Sequence, residues 1–162
     1  MKYALTIGMF ILFFTGCKHS TKSTPFSTVI IESVIEDSLL NIRALELHKQ
    51  TLKAVSSIGD VYIYDTETAQ IAVKRVSEDT LNFRASAIVE DSYFTLSIGS
   101  PAYLFKNQEL VYKETHPATF YDALHFWNSK EGIAIGDPTD GCMSMVITRN
   151  GGQTWQKTAC EF

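Results

Sequence analysis

This sequence has little net charge, few cysteines and no metal-ligand motif. The formal net charge is only −4 over 162 residues, and no concentrated basic face is predicted, so a nucleic-acid partner is not expected. The four histidines are scattered, and neither a His-x-x-x-His nor a Cys-x-x-Cys pattern occurs, so no metal site is expected. A Gly-rich phosphate cradle is also missing, and we expect no cofactor.

Abundant apolar and aromatic side chains point instead to a folded, strand-rich domain. Hydrophobic residues make up 45% of the sequence and charged residues 20%. This balance argues against disorder, because disordered chains combine low hydrophobicity with high net charge. Aromatic residues reach 12%, with ten Phe and seven Tyr, and such residues are enriched in strands. The length suits one domain.

The first residues have the pattern of an export signal. Ala4–Phe14 is an uncharged apolar run of eleven residues, which is shorter than the roughly 20 residues that span a bilayer as a helix. Residues 1–16 are therefore predicted to be a signal peptide. The run ends in Phe14-Thr15-Gly16-Cys17, which resembles the lipobox of bacterial lipoproteins.

The lipobox resemblance implies that the thiol of Cys17 is acylated and that Cys17 becomes the mature N-terminus. The protein is then expected to be exported and held at a bacterial membrane, on the periplasmic or cell-surface side, through the acylated Cys17. Residues 17–27 are polar and are predicted to form a flexible tether. A plain secretory signal followed by a chance cysteine is the alternative.

Two short sequence markers recur with a period of about 40 residues, a spacing that indicates repeated structural units. The first marker occurs as Asn41-Ile42-Arg43-Ala44, Asn82-Phe83-Arg84-Ala85 and, more weakly, Phe120-Tyr121-Asp122-Ala123. The second marker occurs as Ser57-Ile58-Gly59-Asp60, Ser97-Ile98-Gly99-Ser100 and Ala134-Ile135-Gly136-Asp137. Two markers that keep the same phase are harder to attribute to chance than one.

Each period divides into four short apolar runs separated by turn residues such as Asp137-Pro138, which is the pattern of an antiparallel sheet. The runs are Leu40–Leu47, Leu52–Ser57, Val61–Tyr64 and Ile71–Val76; then Leu81–Val89, Tyr93–Ile98, Ala102–Lys106 and Leu110–Lys113; then Tyr121–Trp127, Gly132–Gly136, Met143–Thr148 and Thr154–Thr158. Four strands per period predict an all-β fold, a partial β-propeller over residues 28–162. Its three four-stranded antiparallel blades are expected at about residues 38–78, 79–118 and 119–160.

Two segments need a separate decision. Leu39–Leu52 contains good helix formers, and Leu45, Leu47 and Leu52 could lie on one helix, but its alignment with Phe83–Val89 favours a strand. Thr28–Ile35 precedes the first period and also looks like a strand. We predict that it forms a strand, which could close the last blade of a propeller.

A hairpin motif lies near the end of the sequence. Thr148-Arg149-Asn150-Gly151-Gly152-Gln153-Thr154-Trp155 resembles the Asp-box, a Ser/Thr-x-Asp/Asn-x-Gly-x-Ser/Thr-Trp hairpin. The short Asn side chain can hydrogen-bond backbone groups two residues on, and Gly supplies a positive φ. A structural role is therefore predicted for Thr148, Asn150, Gly152, Thr154 and Trp155.

With this motif and the period, the mature chain resembles the Asp-box, or BNR, β-propellers. These include sialidases and photosystem II assembly-factor-type propellers, some of whose bacterial relatives are lipoproteins. The resemblance implies a non-catalytic binding or assembly scaffold for a protein or glycan partner. A truncated sialidase-like glycoside hydrolase and a redox-associated propeller are the alternatives. Because closed propellers have about 4–8 blades, we expect an N-terminal fragment, or a half-propeller that self-associates.

The predicted blades gather charged residues on one face, where innermost strands start and second strands end. These residues are Arg43, Asp60, Arg84, Asp122 and Asp137. Propellers commonly bind ligands on this face, and sialidases bind a carboxylate there with arginines, which suits the planar guanidinium group. Arg43 matches the first sialidase arginine, but the residues after it depart from the Arg-Ile-Pro pattern and no nucleophile can be assigned. The other role, which we favour from the sequence, is that Arg43 and Arg84 pair with acidic neighbours and line a solvated channel.

Cys142 and Cys160 are predicted to form a disulfide. In a hairpin centred on Gly151 with Thr148 opposite Thr154, the two cysteines face each other on neighbouring strands. Export would place them in an oxidising compartment, where disulfides persist. Free buried thiols are the alternative.

Overall fold

The computed structural model describes residues 27–36 and 40–159. Its two compact units are Met1–Ile35 and Glu36–Phe162, and all described strands belong to the second. The strands are β1 Ile42–His48, β2 Thr51–Ser56, β3 Asp60–Asp65, β4 Gln70–Arg75, β5 Asn82–Val89, β6 Ser92–Ile98, β7 Tyr103–Lys106, β8 Glu109–Lys113, β9 Ala123–Phe126, β10 Gly132–Thr139, β11 Cys142–Thr148 and β12 Gln156–Lys157. Over the described residues, no helix is long and apolar enough to cross a membrane.

The twelve strands form three four-stranded antiparallel sheets, as the sequence period predicted. Strands β1 to β4 form the first sheet, β5 to β8 the second and β9 to β12 the third, each in chain order. Every neighbouring pair is an antiparallel hairpin. The predicted strand at Leu39–Leu52 is also confirmed, since β1 and β2 lie there rather than a helix.

The core lies between the sheets. Val55 and Val61 of the first sheet pack against Phe83 and Phe105 of the second. A larger cluster joins the second sheet to the third, with these buried members: Ala85, Ala87, Phe94, Leu96, Ala102, Leu104, Tyr121, Leu124, Ala134, Val146 and Trp155. Burial of these alternating side chains fixes which face of each strand turns inward.

The strand predicted at Thr28–Ile35 is wrong. Residues 27–36 contain no strand, and the side chains of Val29, Ile30 and Ile31 are exposed. A strand is stable only when a neighbouring strand satisfies its backbone groups. An apolar run alone therefore does not specify one.

The turn predicted at Asp137-Pro138 is also wrong. Strand β10 continues through both residues to Thr139, with a β-bulge between Gly136 and Pro138. A bulge inserts one unpaired residue without ending the strand. It also tolerates a proline, which cannot donate a backbone hydrogen bond to the ladder.

Candidate functional site

The first strand of the first two sheets carries the same irregularity near its start. Ile42 pairs with Ser56 and Ala44 with Val55, so that Arg43 is the extra residue between them. In the second sheet the extra residue at the same place is Arg84. A bulge bends its strand and redirects the side chain that it carries. The sequence repeat therefore corresponds to a structural one, with an arginine on each bulge.

Arg84 and Asp122, two of the predicted ligand-face residues, are brought together. Arg84 Nε donates to Asp122 Oδ1 at 3.0 Å. Asp122 lies just before β9 and is held there because its backbone N–H donates to the carbonyl of Ile135 at 2.9 Å. The ion pair thus joins the second sheet to the third and neutralises both partners.

Asp60 is neutralised within its own sheet. Its Oδ1 lies 2.8 Å from Nη2 of Arg75, the residue directly opposite on β4. The backbone N–H of Asp60 also donates to Ser56 Oγ at 3.1 Å. Sequence reasoning did not identify Arg75 as the partner, although its place at the end of the fourth strand follows from the hairpin register.

Arg43 and Asp137 are the two predicted ligand-face residues that remain unpaired. Arg43 is half-buried, and among the residues that the structure describes no hydrogen-bond acceptor or carboxylate contacts its side chain. Asp137 is exposed on the bulge of β10. Gly136 before it packs directly on the backbone of Phe120 and Tyr121, where a Cβ atom would overlap. That close approach brings the bulge of β10 next to the start of β9.

The Asp-box-like hairpin is closed by side-chain hydrogen bonds, although the Asn150 side chain bonds the backbone four residues on rather than the predicted two. Asn150 Oδ1 accepts from the Thr154 N–H at 3.0 Å, and Thr148 Oγ1 accepts from the Gly152 N–H at 2.9 Å. Gly151 and Gly152 have φ values of 69° and 74°, in the left-handed region that favours glycine. These contacts close the turn between β11 and β12.

Trp155 packs this turn against the core. It is buried, and its ring packs edge-on against Phe126 at 5.7 Å and Phe94 at 6.3 Å between centroids. Gly152 also lies on the Phe94 ring, where a Cβ atom would overlap. The hairpin therefore serves packing between the second and third sheets, and its residues lie apart from Arg43 and Arg84.

Cys142 is disulfide-bonded. Cys160, its predicted partner, and Cys17 both lie outside the described residues. The strand register around the bridge differs from the predicted one, since Val146 pairs with Lys157 and Ile147 with Gln156. The predicted register, with Thr148 opposite Thr154, is one residue out. The Cys142–Cys160 pairing therefore stays a prediction.

Two buried charged residues that sequence reasoning missed lie between the sheets. Lys53 of β2 is 1% exposed; its Nζ donates to the Phe94 carbonyl at 2.6 Å and to Thr95 Oγ1 at 3.1 Å, and lies 4.5 Å from the centre of the Tyr93 ring. Burial lowers the pKa of Lys53 to about 7, against the opposing effect of Glu46. No local pattern indicated this burial, because the same-side neighbours of Lys53 on β2 are Thr51 and Val55, of which only Val55 is apolar.

Glu114, just after β8, is the second buried charged residue, and its exposed fraction is also 1%. Its Oε2 accepts from the hydroxyls of Tyr121 at 2.6 Å and Tyr112 at 3.0 Å. Its Oε1 accepts from two backbone N–H groups at 2.8 Å and from Lys157 Nζ at 3.1 Å. Burial alone would raise the pKa of Glu114, but these hydrogen bonds outweigh it and lower the pKa to about 2. Burial, together with the hydrogen bond to Glu114, raises the pKa of Tyr112 to about 12 against the opposing hydrogen bond with Tyr121.

Two clefts lie at the other end of the sheets from the predicted ligand face. One, of about 350 Å³, opens between the β1–β2 and β5–β6 turns and reaches Lys53. The other, of about 450 Å³, lies beside the Asp-box-like turn and is lined by the basic residues Lys106, Lys130 and Arg149. Neither cleft contains any of the five predicted ligand-face residues. Among the described residues, no group of His, Cys, Asp and Glu side chains is arranged to hold a metal ion.

Comparison with known proteins finds solved structures with a similar fold. No protein-family model and no curated protein matches the sequence. The solved structure of U3-55K matches with a TM-score of 0.58 and 10% identity, over 76% of this chain and 40% of that one. The WD40 repeats of RRP9 match with a TM-score of 0.57 and 11% identity, over 75% of this chain and 39% of that one. The chain therefore spans about two fifths of the length of these structures.

Such low identity shows the fold alone. Both matches are propeller-type proteins built from repeated four-stranded sheets. This chain has three such sheets, each with its strands in chain order, and its described residues contain no helix. The chain has the all-β fold of a partial β-propeller.

Proposed function

We propose that this chain is an exported, lipid-anchored binding module. Its partial propeller would act as a non-catalytic scaffold that holds a carboxylate-bearing protein or glycan partner on the face that carries Arg43. The Asp-box type of propeller is part of this proposal, supported by the hydrogen bonds of the Thr148–Trp155 hairpin. The fold itself is compatible with many functions, so the proposal rests on the charged face.

The observation that carries the proposal is the unpaired Arg43. In the described part of the chain, the other three arginines each contact a carboxylate: Arg75 with Asp60, Arg84 with Asp122 and Arg149 with Glu131. Arg43 alone has no such partner. A guanidinium group has a fork of donors that matches a carboxylate in two parallel hydrogen bonds. A ligand carboxylate would form with Arg43 the ion pair that the other three arginines form within the protein.

The neighbouring charges favour binding over hydrolysis. Arg84 on the equivalent bulge is neutralised by Asp122, so the described residues offer one unpaired guanidinium on this face. A sialidase-type site would need several arginines on one carboxylate together with a nucleophile. The exposed carboxylate of Asp137 would repel a second anionic group and so restrict which partners fit.

We expect the substitution Arg43→Gln to weaken binding of a carboxylate ligand by tenfold or more, because truncating a charged hydrogen-bonded contact typically costs about 2 kcal/mol or more. Suitable probes are a glutamate-rich peptide and sialyllactose, titrated separately by microscale thermophoresis at low salt. These two probes distinguish a protein partner from a glycan partner.

Arg149→Gln is the matched control. It removes the same charge from an exposed arginine at the other end of the sheets, so it should leave binding of either probe within about twofold of wild type. Equal weakening by both substitutions would reveal a general charge effect, and the ligand role of Arg43 would be abandoned.

The lipid anchor rests on the sequence, since Cys17 lies outside the described residues. Cells that express wild type and Cys17→Ala would be fed a fatty-acid analogue with a clickable group. Label is expected on the wild-type protein and should be absent from the variant. Cys142→Ala is the control, which removes a different cysteine and should keep the label. Equal labelling of wild type and Cys17→Ala would refute the anchor.

A further inference from the structure

The first sheet has an outer face, turned away from the second sheet, that carries no charge along two full rows of side chains. Strand pairing places one row on Leu45, Ala54, Tyr62 and Val73, and the other on Leu47, Leu52, Tyr64 and Ile71. Side chains directly opposite on paired strands share a face of the sheet. The alternating residues Val55 and Val61 point to the second sheet. The two rows therefore lie on the opposite side.

This outer face of the first sheet is exposed. Leu47 is 63% exposed, Leu45 59%, Val73 55% and Ile71 41%. Single exposed apolar residues are ordinary, but contiguous apolar patches on monomers are rarely larger than a few hundred Å². Four large apolar side chains in register across one sheet, beside a leucine and two tyrosines, form such a patch.

The third sheet has a similar outer face. One row holds Ala123, Ile135 and Met145, and the next holds His125, Ile133, Ile147 and Gln156. Leu124, Ala134 and Val146, which alternate with them, pack on the second sheet. The outer rows contain no acidic residue, lysine or arginine, and Met143 at their margin is 45% exposed. The first and third sheets thus each present two adjoining outer rows without an acidic residue, lysine or arginine.

The repeat shows that these two outer faces are complementary. Ala44 packs in the cluster toward the second sheet, and its equivalent Ala85 packs in the cluster toward the third. Ala123, the third equivalent, lies on the outer face of the third sheet. In the other direction, Leu45 is equivalent to Ser86, which shares a row with Thr95 and Phe105 toward the first sheet. The outer face of the first sheet therefore corresponds to the side of the second sheet that packs on the first. The outer face of the third sheet corresponds to the side of the second sheet that packs on the third. These two kinds of face contact each other twice within the chain.

We propose that a second copy of this chain covers both outer faces. The outer face of the third sheet in one copy packs on the outer face of the first sheet in the other, and the reverse contact forms at the same time. One two-fold axis relates the two contacts, so assembly closes at two copies. The resulting ring has six sheets, within the range of about 4–8 blades that closed propellers use.

Complementary variants test this arrangement on the full chain, with two differently tagged copies co-expressed and captured by one tag in mild detergent. Wild type should recover the second tag, and native mass spectrometry should give a two-copy mass. Leu47→Asp on the first sheet should reduce recovery about tenfold or more, as a charge in an apolar contact does. Ile147→Asp on the third sheet should do the same. Co-expression of the two variants with each other should restore recovery, because one unaltered contact remains.

The controls separate assembly from folding. Leu110→Asp alters a side chain of the middle sheet that is 46% exposed, and it should leave recovery unchanged. Met143→Asp replaces Ile147→Asp if the latter lowers the melting temperature. A one-copy mass for wild type overturns the proposal. A different result would also overturn the proposal. If Leu47→Asp abolished recovery of the second tag while Ile147→Asp and Met143→Asp left it intact, the first sheets of two copies would pack on each other.

Discussion

Glu114→Gln is expected to lower the free energy of unfolding by about 3–5 kcal/mol near neutral pH, the range for breaking a buried charged network. The carboxylate accepts five hydrogen bonds: from the hydroxyls of Tyr112 and Tyr121, the backbone N–H groups of Thr115 and His116, and Lys157 Nζ. A glutamine has one acceptor oxygen, and its NH₂ group would face other donors. Several buried donors would then be left without an acceptor.

The same residue makes stability sensitive to acid. The pKa of Glu114 is about 2 in the folded protein against 4.5 for an ordinary glutamate. Between these values the unfolded chain binds more protons than the folded chain, so stability rises with pH in that window. Its contribution is complete above about pH 4.5 and is lost as the pH falls toward 2. At about 1.4 kcal/mol per pH unit, the loss amounts to about 3 kcal/mol.

Urea unfolding followed by the fluorescence of the buried Trp155 would measure both effects at one fixed protein concentration. Glu109→Gln is the matched control, since Glu109 on β8 is exposed and its substitution should change stability by less than about 0.5 kcal/mol. If Glu114→Gln kept the acid sensitivity of wild type, the buried network would not be its source.

The repeated sheets could be predicted from the sequence because their determinants are local. Alternating apolar residues, two-residue turns and a period of about 40 residues specify hairpins with little reference to distant parts of the chain. The choice of strand over helix at Leu39–Leu52 depended on the repeat rather than on propensity, and it proved correct. Thr28–Ile35 had a similar apolar pattern, but the described residues form no strand there, and the prediction failed.

The candidate site could be predicted only in part, because ion pairing depends on which sheets become neighbours. The arginine repeat placed Arg43 and Arg84 on equivalent positions, and both lie on bulges. Nothing local indicates that Arg84 finds Asp122 on the next sheet while Arg43 finds no carboxylate. For the same reason Lys53 escaped notice, since its acceptors lie about 40 residues away in the second sheet.

The second large expected effect is a rise in the free energy of unfolding at alkaline pH, and its source is Lys53. The folded protein should become more stable by about 3 kcal/mol between pH 7 and 9.5. Burial lowers the pKa of Lys53 to about 7, against 10.5 for an exposed lysine. In this window the unfolded chain keeps the proton that the folded chain has released, so the unfolding free energy rises with pH by about 1.4 kcal/mol per unit. Below pH 7 both states hold the proton, and Lys53 adds no slope.

Lys53→Met should abolish this slope, because methionine carries no proton and its unbranched side chain adapts to the buried space that the lysine chain occupies. Near pH 6 the substitution makes two changes that have opposite effects on the free energy of unfolding. It no longer buries a charged amine, but it leaves the Phe94 carbonyl and the Thr95 hydroxyl without their donor. The pH slope is therefore the decisive quantity, rather than the stability at any single pH. Tyrosines with raised pKa values, such as Tyr112, oppose the trend only above about pH 10, outside the window.

Lys74→Met provides the matched control for the alkaline slope. Lys74 also lies over the Tyr93 ring, with its Nζ 6.0 Å from the ring centre, but its side chain is exposed. Removing this charge should keep the rise in unfolding free energy between pH 7 and 9.5. Urea unfolding at half-unit pH steps would compare the three proteins. A flat profile in wild type, or a rise that persists in Lys53→Met, would show that the Lys53 amine stays protonated between the first two sheets and that its bonds to Phe94 and Thr95 hold it as an ammonium ion.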